Sequence, residues 1–207
     1  LVTGVTYRNP ALLAKTVTTL DVISGGRAIL GLGAAWNESE HRGYGFDFPR
    51  VGERMDRLDE ALTICRRMFT EDRPTFEGRF YRIDRALNQP RPVRAGGPPI
   101  LVGGGGEQRT LRLVARHADY AHWFPLGIDV LRHKTEVLER YCEEIGRDPA
   151  TITRTMAAPV LLVSDEREGE ARLARIPPER RGSLVAATPT RAAEIIAEYV
   201  AAGFGGG

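Results

Sequence analysis

Pro98-Pro99-Ile100-Leu101-Val102-Gly103-Gly104-Gly105-Gly106 is the stretch on which the reading of this chain turns. A short apolar strand runs into four glycines, and a helix-like segment, Glu107 to His117, follows at once. Glycines let the backbone approach an anion closely, and the free N–H groups of a first helical turn point at it. Read alone, the four glycines fit a tight strand-to-helix turn as well as a phosphate cradle.

A second junction of the same build lies upstream. Arg27-Ala28-Ile29-Leu30-Gly31-Leu32-Gly33 reads as a buried strand and ends in Ala34-Ala35-Trp36-Asn37-Glu38-Ser39-Glu40. Small residues again clear space at the strand end. Its G-x-G is not a dinucleotide fingerprint, because the third glycine and the immediate helix are missing. Two like strand ends predict one pocket at the end of a parallel sheet or barrel.

Outward from these junctions, strand and helix alternate persistently, which means a parallel sheet, flat or closed. Leu1 to Thr6 reads as a strand, Asn9-Pro10 as a helix start, and Gly25-Gly26 as its end. Apolar residues at helical spacing predict a long helix near 52–69, and Phe76 to Tyr81 reads as a hairpin. Further expectations are a strand over 119–124, a helix near 128–145, one long strand from Ile152 to Val163, and a last helix from Thr188-Pro189 to Ala202. The charge-dense segment Asp165 to Gly182 is expected as a mobile surface insertion or lid.

Bulk properties narrow the field. At 207 residues the chain has ample core for one domain, and its 42% hydrophobic and 27% charged residues are those of a globular protein. A net charge of +2, with arginines scattered among carboxylates, argues against nucleic acid as a partner. No apolar run reaches the roughly 20 residues that span a bilayer, so no membrane partner is expected and a cytoplasmic location is the default. Cys65 and Cys142 fall within helical patterns and read as buried hydrophobes, not as a disulfide or metal ligands.

The residues also resemble a known family. Tyr7-Arg8-Asn9-Pro10, Thr19 to Arg27 with Gly31 to Glu38, Phe76 to Tyr81, Pro98 to Gly106, Arg116-His117-Ala118-Asp119 and Gly146-Arg147-Asp148-Pro149 are similar to the luciferase-like monooxygenase superfamily. Within it they look most like the oxidoreductases that depend on the deazaflavin coenzyme F420. The resemblance runs to about Val163 and resumes at Thr188. It implies a TIM-type (β/α)8 barrel, here incomplete: about strand three to the start of strand eight, as one domain over 1–207 truncated at both ends.

The implied chemistry is hydride transfer between coenzyme F420 and a small organic substrate, with FMN, reduced flavin and O2 as the alternative. Gly104, Gly105 and Gly106 match the family's backbone phosphate site. Ala34, Ala35 and Asn37 match the loop on the other side of the cofactor tail. Val2 and Thr3, with Leu1, match the strand end beneath the ring, where relatives keep a non-proline cis peptide. The catalytic residue is expected in a strand preceding Leu1, and relatives often pair as homodimers.

Other residues carry weaker expectations. His122 and Trp123 are candidates for substrate contact. His41 reads as a solvated loop residue within reach of the pocket mouth, His117 as a helix-terminal residue and His133 as surface. Trp36 fits a lid over the ring or packing under a loop. Glu38 and Glu40 fit a helix N-terminus; Arg109, Arg112, Arg180 and Arg181 fit solvated charge as readily as a cofactor grip. No metal site is expected. A non-catalytic module for a phosphorylated ligand is the reading from another class. A sugar-phosphate isomerase or aldolase barrel is disfavoured, since Lys15 and Lys134 fall within helices.

Overall fold

The computed structural model describes residues 2–124 and 127–205, without the side chains of 179 and 180. The order is β1 (Thr3–Gly4), α1 (Pro10–Ser24), β2 (Leu30–Gly33), α2 (Glu38–Tyr44), α3 (Val51–Thr70), β3 (Phe76–Glu77), β4 (Arg82–Ile83), β5 (Ile100–Gly103), α4 (Thr110–His117), β6 (Tyr120–Trp123), α5 (Ile128–Glu144), β7 (Thr153–Met156), β8 (Val160–Leu162), α6 (Glu166–Ala174), α7 (Pro178–Arg181), β9 (Val185–Ala187) and α8 (Pro189–Ala201). One parallel sheet carries the molecule, in the order β1-β2-β5-β6-β7. Each strand lies parallel beside the next of the set, the arrangement that successive βα units build. The barrel is open, with β1 and β7 as the sheet's edges.

Local chemistry explains the elements. Asn9 caps α1 by accepting from the Ala11 N–H at 2.9 Å, Pro10 takes the first helical position, and Gly25 ends the helix at φ 66°. One face of α3, with Leu58, Leu62, Ile64 and Cys65 fully buried, packs on α1 and the sheet. In β5 Ile100, Leu101 and Val102 are all buried, as expected of a strand covered on both faces. The hairpin β3–β4 is anchored by Glu60, whose carboxylate accepts from the N–H groups of Arg79, Phe80 and Tyr81 at 2.7–3.0 Å.

Three expectations need correction. The first strand covers only Thr3–Gly4 and passes into a 3-10 turn over Val5–Tyr7. A Cβ on Gly4 would meet Ala35 and Tyr7 at 3.0 Å, so glycine gives this turn its room. The helix after the glycines starts at Thr110, three residues late. The expected strand from Ile152 to Val163 is two strands in two sheets, because β7 stops at Met156 and β8 pairs in parallel with β9. Pro159 stands in the break; it has no N–H for a ladder. Among the described residues the cis peptide is Gln89–Pro90; Leu1, with which the resemblance associates a non-proline cis bond, lies outside them.

The charge-dense segment 165–182 contains α6, capped by Asp165, and the single turn α7. No described helix is long and apolar enough to cross a membrane.

Candidate functional site

The parallel strands end on one side of the sheet at Gly4, Gly33, Gly103 and Trp123, and there a cavity of about 320 Å³ opens. Its walls include Val2 before β1 and Thr3 on it, Ala34, Ala35 and Asn37 after β2, Gly104 to Gly106 after β5, and His122 on β6. The two glycine- and alanine-lined mouths therefore share one space. The floor is tightest at Gly103, where a Cβ would meet the Val2 side chain at 2.9 Å, whereas one on Gly33 would make only ordinary contact with the Gly103 carbonyl at 3.5 Å. Gly104 adopts φ +117°, a region that side chains disfavour.

The glycine loop is held from both sides. The Gly104 N–H donates to the His122 carbonyl at 3.0 Å, so this amide is committed to the sheet. Lys134 Nζ donates to the Gly105 carbonyl at 2.7 Å and pairs with Glu107 at 3.2 Å, with its side chain only 12% exposed. In a trans peptide the N–H points opposite the C=O, so Lys134 turns the Gly106 N–H away from itself. The Thr110 hydroxyl stands close by, 3.0 Å from where a Gly106 Cβ would lie. Lys134, with His133 behind it, holds the Glu107 carboxyl below the usual range, chiefly through the Lys134 hydrogen bond. Nothing in the helical spacing of Lys134 marked it as a support for a loop so far upstream.

Trp123 does not share the cavity. Side chains alternate along a strand; Trp123 is 1% exposed and packs on Phe204 with ring centroids 5.7 Å apart, while His122 faces the opening. His122 Nδ1 lies 2.9 Å from Thr155 Oγ1 on β7, and that hydroxyl donates to the Ala121 carbonyl at 3.1 Å. Partial burial holds the His122 imidazole below its ordinary 6.5.

His41 is a second correction. It is wholly buried, stacked on Tyr7 at 4.6 Å and edge-on to Phe48 at 4.7 Å. Its Nε2 lies 2.7 Å from Thr6 Oγ1 and its Nδ1 2.7 Å from the Asn37 carbonyl. The aromatic loop Tyr44 to Phe48 closes over it, which a loop reading could not anticipate. Tyr7 donates to Glu40 at 2.8 Å, and both line the cavity. Partial burial, with the Glu40 carboxylate, raises the Tyr7 phenol above 10.

The remaining candidates take ordinary places. Trp36 is 76% exposed on the cavity rim. Asn37 caps α2, with Glu38 and Glu40 in its first turn. Arg109 ties α4 to α3 through the Gly52 carbonyl and Asp56, and Arg112 lies over the Tyr141 ring at 4.7 Å. Arg181 donates to the Ile176 carbonyl, and the Arg180 side chain is outside those described. Cys65 is buried and its thiol pushed up to about 12, and no metal-binding cluster occurs among the described residues.

A glycine-lined cavity at the carboxyl ends of parallel strands, inside an open α/β barrel, lies where enzymes of the barrel class hold their ligands. The chain belongs to the luciferase-like monooxygenase family, whose family model matches residues 2–180 and so includes most of the charge-dense segment that the resemblance had left out. Two relatives are each named F420-dependent glucose-6-phosphate dehydrogenase. That of Intrasporangium calvum is 42% identical over 116 residues, 55% of this chain and 33% of the relative. That of Kineococcus radiotolerans is 31% identical, covering 95% of this chain and 66% of the relative. The chain thus spans less than two thirds of the length of both. In fold it is similar to an F420-dependent secondary alcohol dehydrogenase solved with an F420-acetone adduct, at 20% identity and a TM-score of 0.79, over 98% of this chain and 70% of that one.

Proposed function

We propose that this chain forms the cofactor-holding part of an oxidoreductase that moves hydride between coenzyme F420 and an organic substrate. One observation carries the reading: Ala34, Ala35, Asn37 and Gly104 to Gly106 wall a single cavity at the strand ends. The residues present fit the group. The backbone of Gly105 and Gly106 with the Thr110 hydroxyl would take the phosphate, and the ring would lie in the cavity beside Val2 at the strand ends. Bound there, the deazaflavin supplies the two-electron chemistry at its C5 carbon, and the protein supplies position and exclusion of water. The names of the relatives favour F420 over FMN as the cofactor.

The test is a fluorescence titration of the native gene product with each cofactor. F420 is expected to bind with a Kd near or below about 1 μM, roughly −8 kcal/mol. FMN binding in that range with no affinity for F420 would favour the monooxygenase reading. Binding of F420 without substrate-dependent reduction, across a broad alcohol panel, would favour a non-catalytic carrier.

A further inference from the structure

Arg8, Tyr44 and Phe46 take no part in the cofactor reading, yet they help to wall a second concave site. This groove, of about 210 Å³, is lined by Tyr7, Arg8, Glu40, Tyr44 and Phe46. Tyr7 and Glu40 also line the larger cavity, so the two spaces share a wall.

The groove is braced from behind. Gly45, at φ 71°, ends α2 and turns the chain back, and the Phe46 N–H donates to the His41 carbonyl at 2.8 Å. Phe46 then stands edge-on to Tyr7 with ring centroids 5.1 Å apart, and Tyr7 stacks on the buried His41. His41 is itself pinned at both nitrogens. The Asn37 carbonyl can only accept, so Nδ1 donates to it at 2.7 Å, while Nε2 lies 2.7 Å from the Thr6 hydroxyl.

One cation and one anion face this groove without neutralising each other. Arg8 donates from Nη1 to Thr3 Oγ1 at 2.9 Å, and Glu40 Oε2 accepts from the Tyr7 hydroxyl at 2.8 Å. Among the described residues neither forms an ion pair, whereas the neighbouring charges of α2, Glu38 and Arg42, pair with each other at 2.7 Å. Arg8 keeps further N–H donors and Glu40 a second carboxylate oxygen for a guest. The rest of the wall is aromatic, with Tyr44 74% and Phe46 41% exposed. A guest matched to all of it carries a carboxylate, an ammonium and an apolar body.

We infer that this groove binds the zwitterion of a small apolar α-amino acid. The carboxylate meets Arg8, the ammonium meets Glu40, and the side chain lies on Tyr44 and Phe46. Both charges are needed, because a lone carboxylate would face Glu40 and a lone amine would face Arg8. The site stands beside the cofactor cavity and does not depend on which cofactor fills it.

Ligand-observed NMR titration of the native gene product tests it, with L-leucine as the probe. Leucine should bind with a Kd of about 1 mM, and 3-methylbutylamine and 4-methylpentanoate, each lacking one charge, about fivefold more weakly or worse. Arg8→Gln and Glu40→Gln should each weaken leucine by about the same factor. Tyr44→Ala, clear of the cofactor cavity, should also weaken leucine, with the urea midpoint unchanged and the F420 Kd within about twofold of wild type. The inference is overturned if leucine fails to saturate by about 20 mM, or if the amine or the acid binds as well as the zwitterion. Wild-type leucine affinity in Arg8→Gln or Glu40→Gln overturns it too. Competitive displacement of leucine by F420 would give the groove to the cofactor's tail and equally overturn it.

Discussion

Single residues at the cavity act through the backbone more than through their own reach. Lys134 is the clearest case, since its ammonium fixes the Gly105 carbonyl and leaves the cavity wall to glycine. Hydrogen bonds to charged groups are typically worth ~1.5–3 kcal/mol. Lys134→Met should therefore lower stability by roughly 1–2 kcal/mol, read from the urea midpoint, and weaken F420 binding by about tenfold. An unchanged midpoint and Kd would show that the loop keeps its shape unaided. Gly104→Ala tests the same loop from within. Its φ of +117° leaves room for a Cβ, with the nearest atom 3.5 Å away, but strains the backbone by about 1–3 kcal/mol. Thermal unfolding should register that loss even without ligand.

Between elements, α3 and α4 are joined by a charged seam. Asp59 accepts from Arg116 at 3.0 Å and pairs with His117 at 2.9 Å, a role for His117 that its place at a helix end did not disclose. The His117 hydrogen bond, opposed by burial and helped by Arg116, holds the Asp59 carboxyl below its ordinary 3.8. A depressed folded-state value means stability that is present above pH 3.8 and lost as pH falls through the lower, folded value. The wild-type urea midpoint should drop through this acid window, and Asp59→Asn should drop less steeply there. Parallel profiles for the two proteins would place the acid sensitivity elsewhere. Asp59 is 34% exposed, so solvent screens the seam and the difference at neutral pH should be small.

At the scale of the whole molecule, two sheets of unequal support should open at different rates. β2 and β5 are hydrogen-bonded on both sides and covered by buried side chains, whereas β8 and β9 form a two-stranded pair held by α6 and α8. Hydrogen exchange should be slowest over 30–33 and 100–103 and clearly faster over 160–162 and 185–187. Equal protection of both regions would make the chain one cooperative unit. The strongest protection is expected where glycine strand ends meet, since the cavity floor and the sheet centre are the same backbone.

The alternation of strand and helix, the Asn9-Pro10 start of α1, and the paired strand-end glycines were all legible in the residues. Each depends on neighbours close in sequence: a cap, a turn, or a period of hydrophobic side chains. So the parallel sheet and the two mouths of the site followed from the chain by itself. What tertiary structure alone decided was which side chains face that site. Trp123 and His122 are adjacent in sequence, yet the strand's pleat sends one into the core and the other to the cavity. His41 is buried by an aromatic loop, Lys134 reaches back to glycines from another helix, and Thr155 meets His122 from a neighbouring strand. These contacts join residues distant along the chain, and local spacing carries no record of them.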